Sequence, residues 1–106
     1  MKPFVLVLVA SLLACGSKRE PKTHQIQIRG MEFVPAKLDV AVGDTVVWTN
    51  TDVLPHTVTS SIPSAATFDS RSIESKQTWQ LEITNAGEHA YVCTYHPTMR
   101  ATLVAR

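Results

Sequence analysis

From His24 onward, apolar and polar residues alternate with a period of two, the pattern of strands that bury one face and wet the other. Ile26 and Ile28 fall between Gln25, Gln27 and Arg29, and Gly30 breaks the run. Met31-Glu32-Phe33-Val34-Pro35 turns the chain, Leu38 to Val42 alternates again, and Gly43-Asp44 predicts a hairpin-type turn. Thr45 to Thr49 follows as a strand with Val46 and Trp48 on one face. Asp52-Val53-Leu54-Pro55 has the breaker content of a loop, and Thr57-Val58-Thr59 resumes strand character directly after His56. Ser60 to Thr67 is small and polar, a surface loop. Trp79, Leu81 and Ile83 form a core-facing alternation, Asn85-Ala86-Gly87 turns, and His89, Tyr91 and Cys93 share one face of the next strand. Ala101 to Ala105 closes the chain, and no segment of useful length has the period of a helix. Seven or eight short strands with regularly spaced turns predict an all-β fold, a two-sheet antiparallel β-sandwich with its loops gathered at the two ends.

The first residues follow a different rule. Lys2 precedes an apolar run from Phe4 to Leu13, shorter than the roughly 20 residues that span a bilayer, so residues 1–14 read as an export signal. Leu12-Leu13-Ala14-Cys15 looks like a bacterial lipobox, which implies a lipid-carrying Cys15 as the first mature residue. The alternative is an ordinary signal peptide cut after a small residue. Residues 16–23, polar and aperiodic, suit a flexible tether, so that 15–23 leads into a folded domain at 24–106. This places the protein in the periplasm or outer cell envelope, held to the membrane through Cys15. A lipidated Cys15 leaves Cys93 without a disulfide partner, and an unpaired cysteine in an exported chain calls for a chemical role.

Composition narrows the function classes. With 106 residues, 44% of them apolar, the chain makes one small domain with a core that needs no disulfide and room for a single site. Loss of residues 1–14 takes away Lys2 and no acid, which leaves nine basic against nine acidic residues. There is no basic patch with interleaved aromatics and no Gly-rich phosphate loop, so neither nucleic acid nor a nucleotide is an expected partner. A monomer is expected.

The candidate chemistry lies in Cys93-Thr94-Tyr95-His96-Pro97-Thr98-Met99, which sets three metal-ligating residue types at C-x2-H-x2-M spacing. His56 supplies a second imidazole, and two imidazoles, a thiolate and a weak thioether are the ligand set of a blue-copper site. Cu(II) favours nitrogen and Cu(I) favours sulfur and low coordination, so this mixed set suits both states with little rearrangement. Pro97 restricts its own backbone and that of His96, as a tight ligand turn requires. Zinc is the chief metal alternative, although it gains little from a thioether. Each residue alone has a plain reading as core or surface; the joint spacing favours copper. His24 and His89 read as packing or surface groups, Met31, Trp48 and Trp79 as core, and Arg100 as either a turn support or a solvated cation.

These residues carry a resemblance. The ligand turn, together with Phe33-Val34-Pro35, Val42-Gly43-Asp44-Thr45-Val46 and Trp48-Thr49-Asn50 ahead of His56, resembles the small cupredoxins, the blue type 1 copper family. The ligand loop is most like that of amicyanin, with pseudoazurin and plastocyanin more distant. The resemblance runs from about His24 to the end and implies a Greek-key cupredoxin topology and one copper ion, held by His56, Cys93 and His96 with Met99 axial. It also implies a Thr57 N–H aimed at the Cys93 sulfur. Many relatives carry asparagine at Thr57, so the side-chain tie to Thr94 is expected to be shorter here; Tyr95 and Thr98 depart from the proline and phenylalanine familiar in amicyanin loops. The implied function is one-electron transfer between a donor and an acceptor redox protein of the envelope, without catalysis, since copper enzymes of this kind need further sites and more than four histidines. The other reading is an envelope protein that binds or delivers copper without shuttling electrons. His96, on a short turn, is the ligand expected to leave on reduction, which would make the potential climb as pH falls.

Overall fold

The computed structural model describes residues 19–106; the expected export signal and the expected lipidation site at Cys15 lie outside the described residues. Eight strands run in the order β1 (Thr23–Arg29), β2 (Glu32–Val34), β3 (Lys37–Val40), β4 (Thr45–Asn50), β5 (Thr59–Ser60), β6 (Thr78–Glu82), β7 (Gly87–Cys93) and β8 (His96–Ala105). One sheet has the order β2-β1-β4-β6 and the other β3-β8-β7-β5, which makes the all-β sandwich expected from the alternation. The pairing is mixed, whereas a purely antiparallel sandwich was expected. β1 pairs with β4 in parallel and β3 pairs with β8 in parallel. The reason is a crossover: between β1 and β4 the chain visits the opposite sheet as β3, and so returns beside β1 running in the same direction.

That crossover also corrects two local expectations. Gly43-Asp44 joins strands of different sheets, so it is a corner between layers and not a hairpin turn. Met31-Glu32-Phe33-Val34 is not merely a turn, because β2 folds back on β1 with Phe33 opposite Ile28. Gly30 and Met31 make this tight reversal with φ of 60° and 62°, the left-handed pair that a two-residue hairpin demands. Met31 is 39% exposed there, so it is a turn residue and not a core one.

The core lies where the alternation placed it. Ile26, Ile28, Val46, Trp48, Tyr91, Cys93 and Leu103 are all essentially inaccessible to solvent. Trp48 Nε1 donates to Tyr91 Oη at 3.2 Å across the two sheets, and the Phe33 ring meets the Tyr91 ring edge to face at 4.8 Å. Trp79 is only half-buried, packed 5.5 Å from Trp48 at the margin of the core. His89 is buried and its Nε2 donates to the Asn85 carbonyl, a packing role.

The sandwich has two chemically different ends. At one, the buried Asp44 carboxylate pairs with His24 Nε2 at 2.8 Å and accepts hydrogen bonds from Lys22 N, Ala41 N and Arg19 Nη2. The His24 contact, with the Lys22, Ala41 and Arg19 donors added, holds this carboxyl far below the usual carboxylate range against the effect of burial. Arg19 and Lys22, expected in the tether, are thereby fastened to the domain, and Thr23 already belongs to β1. At the other end, β4 finishes at Asn50, β7 at Cys93 and β8 begins at His96.

Candidate metal centre

The segment after β4 is shaped by one buried amide. Asn50 Nδ2 donates to the carbonyls of Leu54 and Ile73, both at 2.9 Å, and Asn50 Oδ1 accepts the Asp52 N–H at 2.9 Å. This Asx-type turn curls residues 50–55 into a loop that delivers His56 back toward the core. His56 and Ile73 then exchange main-chain hydrogen bonds of 3.1 and 2.8 Å, an isolated antiparallel bridge that fixes the His56 backbone. Regular strand resumes only at β5, later than the Thr57-Val58-Thr59 expected. Val58 N instead donates to Ser70 Oγ at 2.8 Å, which ties the Phe68-Asp69-Ser70 segment to this wall of the site.

Cys93 ends β7, fully buried and as a free thiol. A register shift at Val92/Cys93 leads into the turn Thr94-Tyr95, and Cys93 then pairs with His96 as β8 begins. The Thr57 N–H donates to Cys93 Sγ at 3.3 Å. Thr57 Oγ1 accepts from Thr94 N at 2.9 Å and lies 3.1 Å from Thr94 Oγ1, so the tie across the two ligand-bearing loops is made by threonine where a longer amide was the familiar residue.

His56 Nδ1 stands 3.7 Å from Cys93 Sγ. Metal bonds of about 2.0 Å to nitrogen and about 2.3 Å to sulfur span such a gap when they meet at roughly 115–120°, between tetrahedral and trigonal. The two groups therefore fit a shared soft or borderline ion. The His56 ring is buried, and its Nε2 lies 2.9 Å from Asp52 Oδ2. Burial raises the Asp52 carboxyl, but hydrogen bonds from Met31 N, Gly30 N and His56 outweigh it and hold the group below the ordinary range. The His96 ring lies 5.2 Å from the His56 ring, centroid to centroid, and is half-buried. Met99 is buried on β8 and lines a cleft of about 320 Å³ with Met31, Phe33 and Thr98. Among the described residues, no group of three or more His, Cys, Asp or Glu side chains closes around one point. His56 and Cys93 are brought into ligating distance, the His96 ring lies beside that of His56 at the start of β8, and Met99 follows three residues on in the same strand, buried against the cleft it shares with Met31 and Phe33.

Sequence reasoning missed Asn50, Asp52 and Ser70. The available signal was an Asn followed two residues later by Asp, the local pattern of an Asx turn.

Comparison with known proteins agrees with this geometry. Residues 22–105 match the family model described as copper binding proteins, plastocyanin/azurin family. Amicyanin from Paracoccus denitrificans is 35% identical over 81 residues, which cover 74% of this chain and 62% of the relative. The chain thus spans about three fifths of that relative's length. Amicyanin-alpha from Methylorubrum extorquens is 28% identical over 99 residues, 92% of this chain and 83% of the relative. Among solved structures, the oxidized state of an amicyanin proline-to-alanine variant superposes with a TM-score of 0.74 at 32% identity, covering 79% of this chain and 82% of the other. With the sandwich, the sulfur-facing Thr57 amide and the match over nearly the whole described domain all in agreement, the chain belongs to the plastocyanin/azurin family of copper-binding proteins.

Proposed function

We propose that the protein carries single electrons between redox partners of the cell envelope through one type 1 copper ion. His56, Cys93, His96 and Met99 would hold the ion, with the Met99 thioether as the weakest donor of the four. The observation that carries this reading is the 3.7 Å approach of His56 Nδ1 to Cys93 Sγ with the Thr57 N–H directed at the same sulfur. When bound, copper supplies a Cu(II)/Cu(I) couple suited to a mixed nitrogen and sulfur set. The chain's own residues do the rest. The Thr57 amide withdraws density from the thiolate, the Thr57–Thr94 tie keeps the two loops from separating, and burial of His56 and Cys93 excludes water.

His96 is the more exposed of the two histidines and so serves as the electron port. Exposed Tyr95 beside it, with Val53 and Leu54 on the loop before His56, offers apolar surface for a transient partner at the same end. The opposite end receives the N-terminal segment at Asp44. A lipid on Cys15 would therefore hold that end toward the membrane and leave the copper end facing the periplasm. The reading includes no catalytic step.

The test is the visible and EPR spectrum of the soluble domain after addition of Cu(II). Intense charge-transfer colour is expected, with near-complete loss of it in Cys93→Ser. A colourless Cu(II)-loaded wild type would sink the reading. If colour is present but copper passes readily to chelators and does not cycle reversibly, the protein delivers copper and does not shuttle electrons.

A further inference from the structure

Asp52 has no part in the ligand set, yet its carboxylate is the most constrained group near it. Oδ1 accepts the Gly30 N–H at 2.7 Å, Oδ2 accepts the Met31 N–H at 3.0 Å, and the Asp52 N–H is itself held by Asn50 Oδ1. Gly30 and Met31 occupy the left-handed region in succession, which points their two amides in one direction and makes an anion-binding concavity. A methionine is held at φ 62° there, a conformation unfavourable for a side chain with a Cβ. The β1–β2 turn is thus built to grip this carboxylate, and the carboxylate's remaining contact is His56 Nε2 at 2.9 Å.

The geometry points to Asp52 as a positioning residue that fixes the tautomer of His56 and holds the copper potential down. An ionised carboxylate only accepts hydrogen bonds, so the proton of the neutral imidazole must sit on Nε2. The lone pair is then left on Nδ1, the atom that faces Cys93 Sγ. A carboxylate on the far side of a ligating imidazole also makes it a stronger donor, which favours Cu(II) over Cu(I). The His56 side chain is fully buried and that of Asp52 is 17% exposed, so water screens the charge only in part where it meets the ring. His96 has a different setting: it is half-buried at the start of β8, directly after the Thr94-Tyr95 turn, and no carboxylate contact of its ring is found among the described residues. The two histidines consequently differ in kind, one held by a carboxylate and one without such a contact among the described residues. This inference rests on His56 being a copper ligand as proposed above.

Two measurements test it, one of them independent of copper. In the metal-free full chain, long-range proton–nitrogen correlation NMR is expected to show His56 as the Nε2–H tautomer; an Nδ1–H tautomer overturns the positioning role. In the copper protein, Asp52→Asn is expected to stay blue and to favour Cu(I) by at least tenfold relative to wild type, which is a rise in potential of about 59 mV for a one-electron couple. Asp52→Glu, which retains the charge, is expected to recover at least half of that shift. An unchanged potential in a folded, blue Asp52→Asn variant overturns the electrostatic role, even where its thermal stability has dropped. Should Asp52→Asn not fold, the same comparison is made between Asp52→Glu and wild type: a shift below tenfold supports the role of the charge, and a larger one overturns it. A colourless wild type overturns the electron-transfer reading, whereas a blue wild type with the wrong His56 tautomer overturns this inference alone.

Discussion

Thr57→Val isolates the side-chain tie between the two ligand-bearing loops, because valine keeps the shape of threonine and leaves the main-chain N–H on Cys93 Sγ in place. Three contacts meet at Thr57 Oγ1: the Thr94 N–H at 2.9 Å, Thr94 Oγ1 at 3.1 Å and the Thr59 hydroxyl at 2.9 Å. They are not equally costly to lose. The Thr59 hydroxyl has Asp69 Oδ1 within 3.2 Å as a second acceptor, and the Thr94 side chain is exposed and can turn to water. The Thr94 N–H has no such substitute, and leaving a partly buried donor unmade costs about 1–3 kcal/mol. The added methyl returns at most about 0.8 kcal/mol of burial. The net expectation is about 0.2–2.2 kcal/mol, or a Tm lower by about 1–18 °C for a domain of this size. If copper leaves through an opening of the loop that breaks this tie, release should quicken by a factor of about 1.4–40. Thermal unfolding of the metal-free protein gives the first quantity, and transfer of Cu(I) to a chelator gives the second. Thr57→Ser, which keeps the oxygen, is the control and should release copper at close to the wild-type rate. A Thr57→Val protein that is as stable as wild type and releases copper no faster would refute the assignment of the tie to this oxygen.

Three further outcomes are expected. Met99→Leu should retain copper and colour while the potential rises, as voltammetry reads, because a weak thioether donor tunes the couple more than it holds the ion; loss of both copper and colour would overturn the assignment of Met99 as the weak donor. If a proton displaces Cu(I) from His96, the potential should be flat at the alkaline end of a scan from about pH 8 to about pH 5 and climb toward its acid end with a slope approaching about 59 mV per unit, and a line flat throughout would show the turn to be pinned by Tyr95 and Thr98. At the other end, Asp44→Asn should destabilise the fold most at neutral pH. The folded carboxyl titrates below its unfolded value, so its contribution is present above about pH 4 and fades as pH falls through the folded value. Denaturant midpoints of variant and wild type should therefore keep a steady gap from about pH 7 to about pH 4 and converge only as pH falls below about 4, and a gap that stays constant below about pH 4 would place the effect elsewhere.

Much of this protein was legible along the chain because burial of one strand face is a local property. The alternation of Ile26 and Ile28, of Val46 and Trp48, and of His89, Tyr91 and Cys93 states which side chains point inward, and all seven are buried. The C-x2-H-x2-M spacing pointed to copper equally directly, in agreement with the copper-binding family the chain belongs to, since residues so close along the chain need no distant partner to be recognised. What the tertiary structure decided is everything that depends on which segments meet. The parallel pairings of β1 with β4 and of β3 with β8 follow from the path of the crossover, to which a period of two is blind. Met31, apolar and so assigned to the core, is turned outward because the hairpin needs a left-handed residue at its place. Asp44 and Asp52 looked like ordinary turn acids. Each became a buried or clamped node because main-chain amides about 20 residues distant in sequence were brought to its oxygens, and an amide belongs to every residue and leaves no mark in the side-chain pattern. The same holds for His56: its residue type announced a ligand, but only the fold shows which ring nitrogen faces Cys93 and what holds the other.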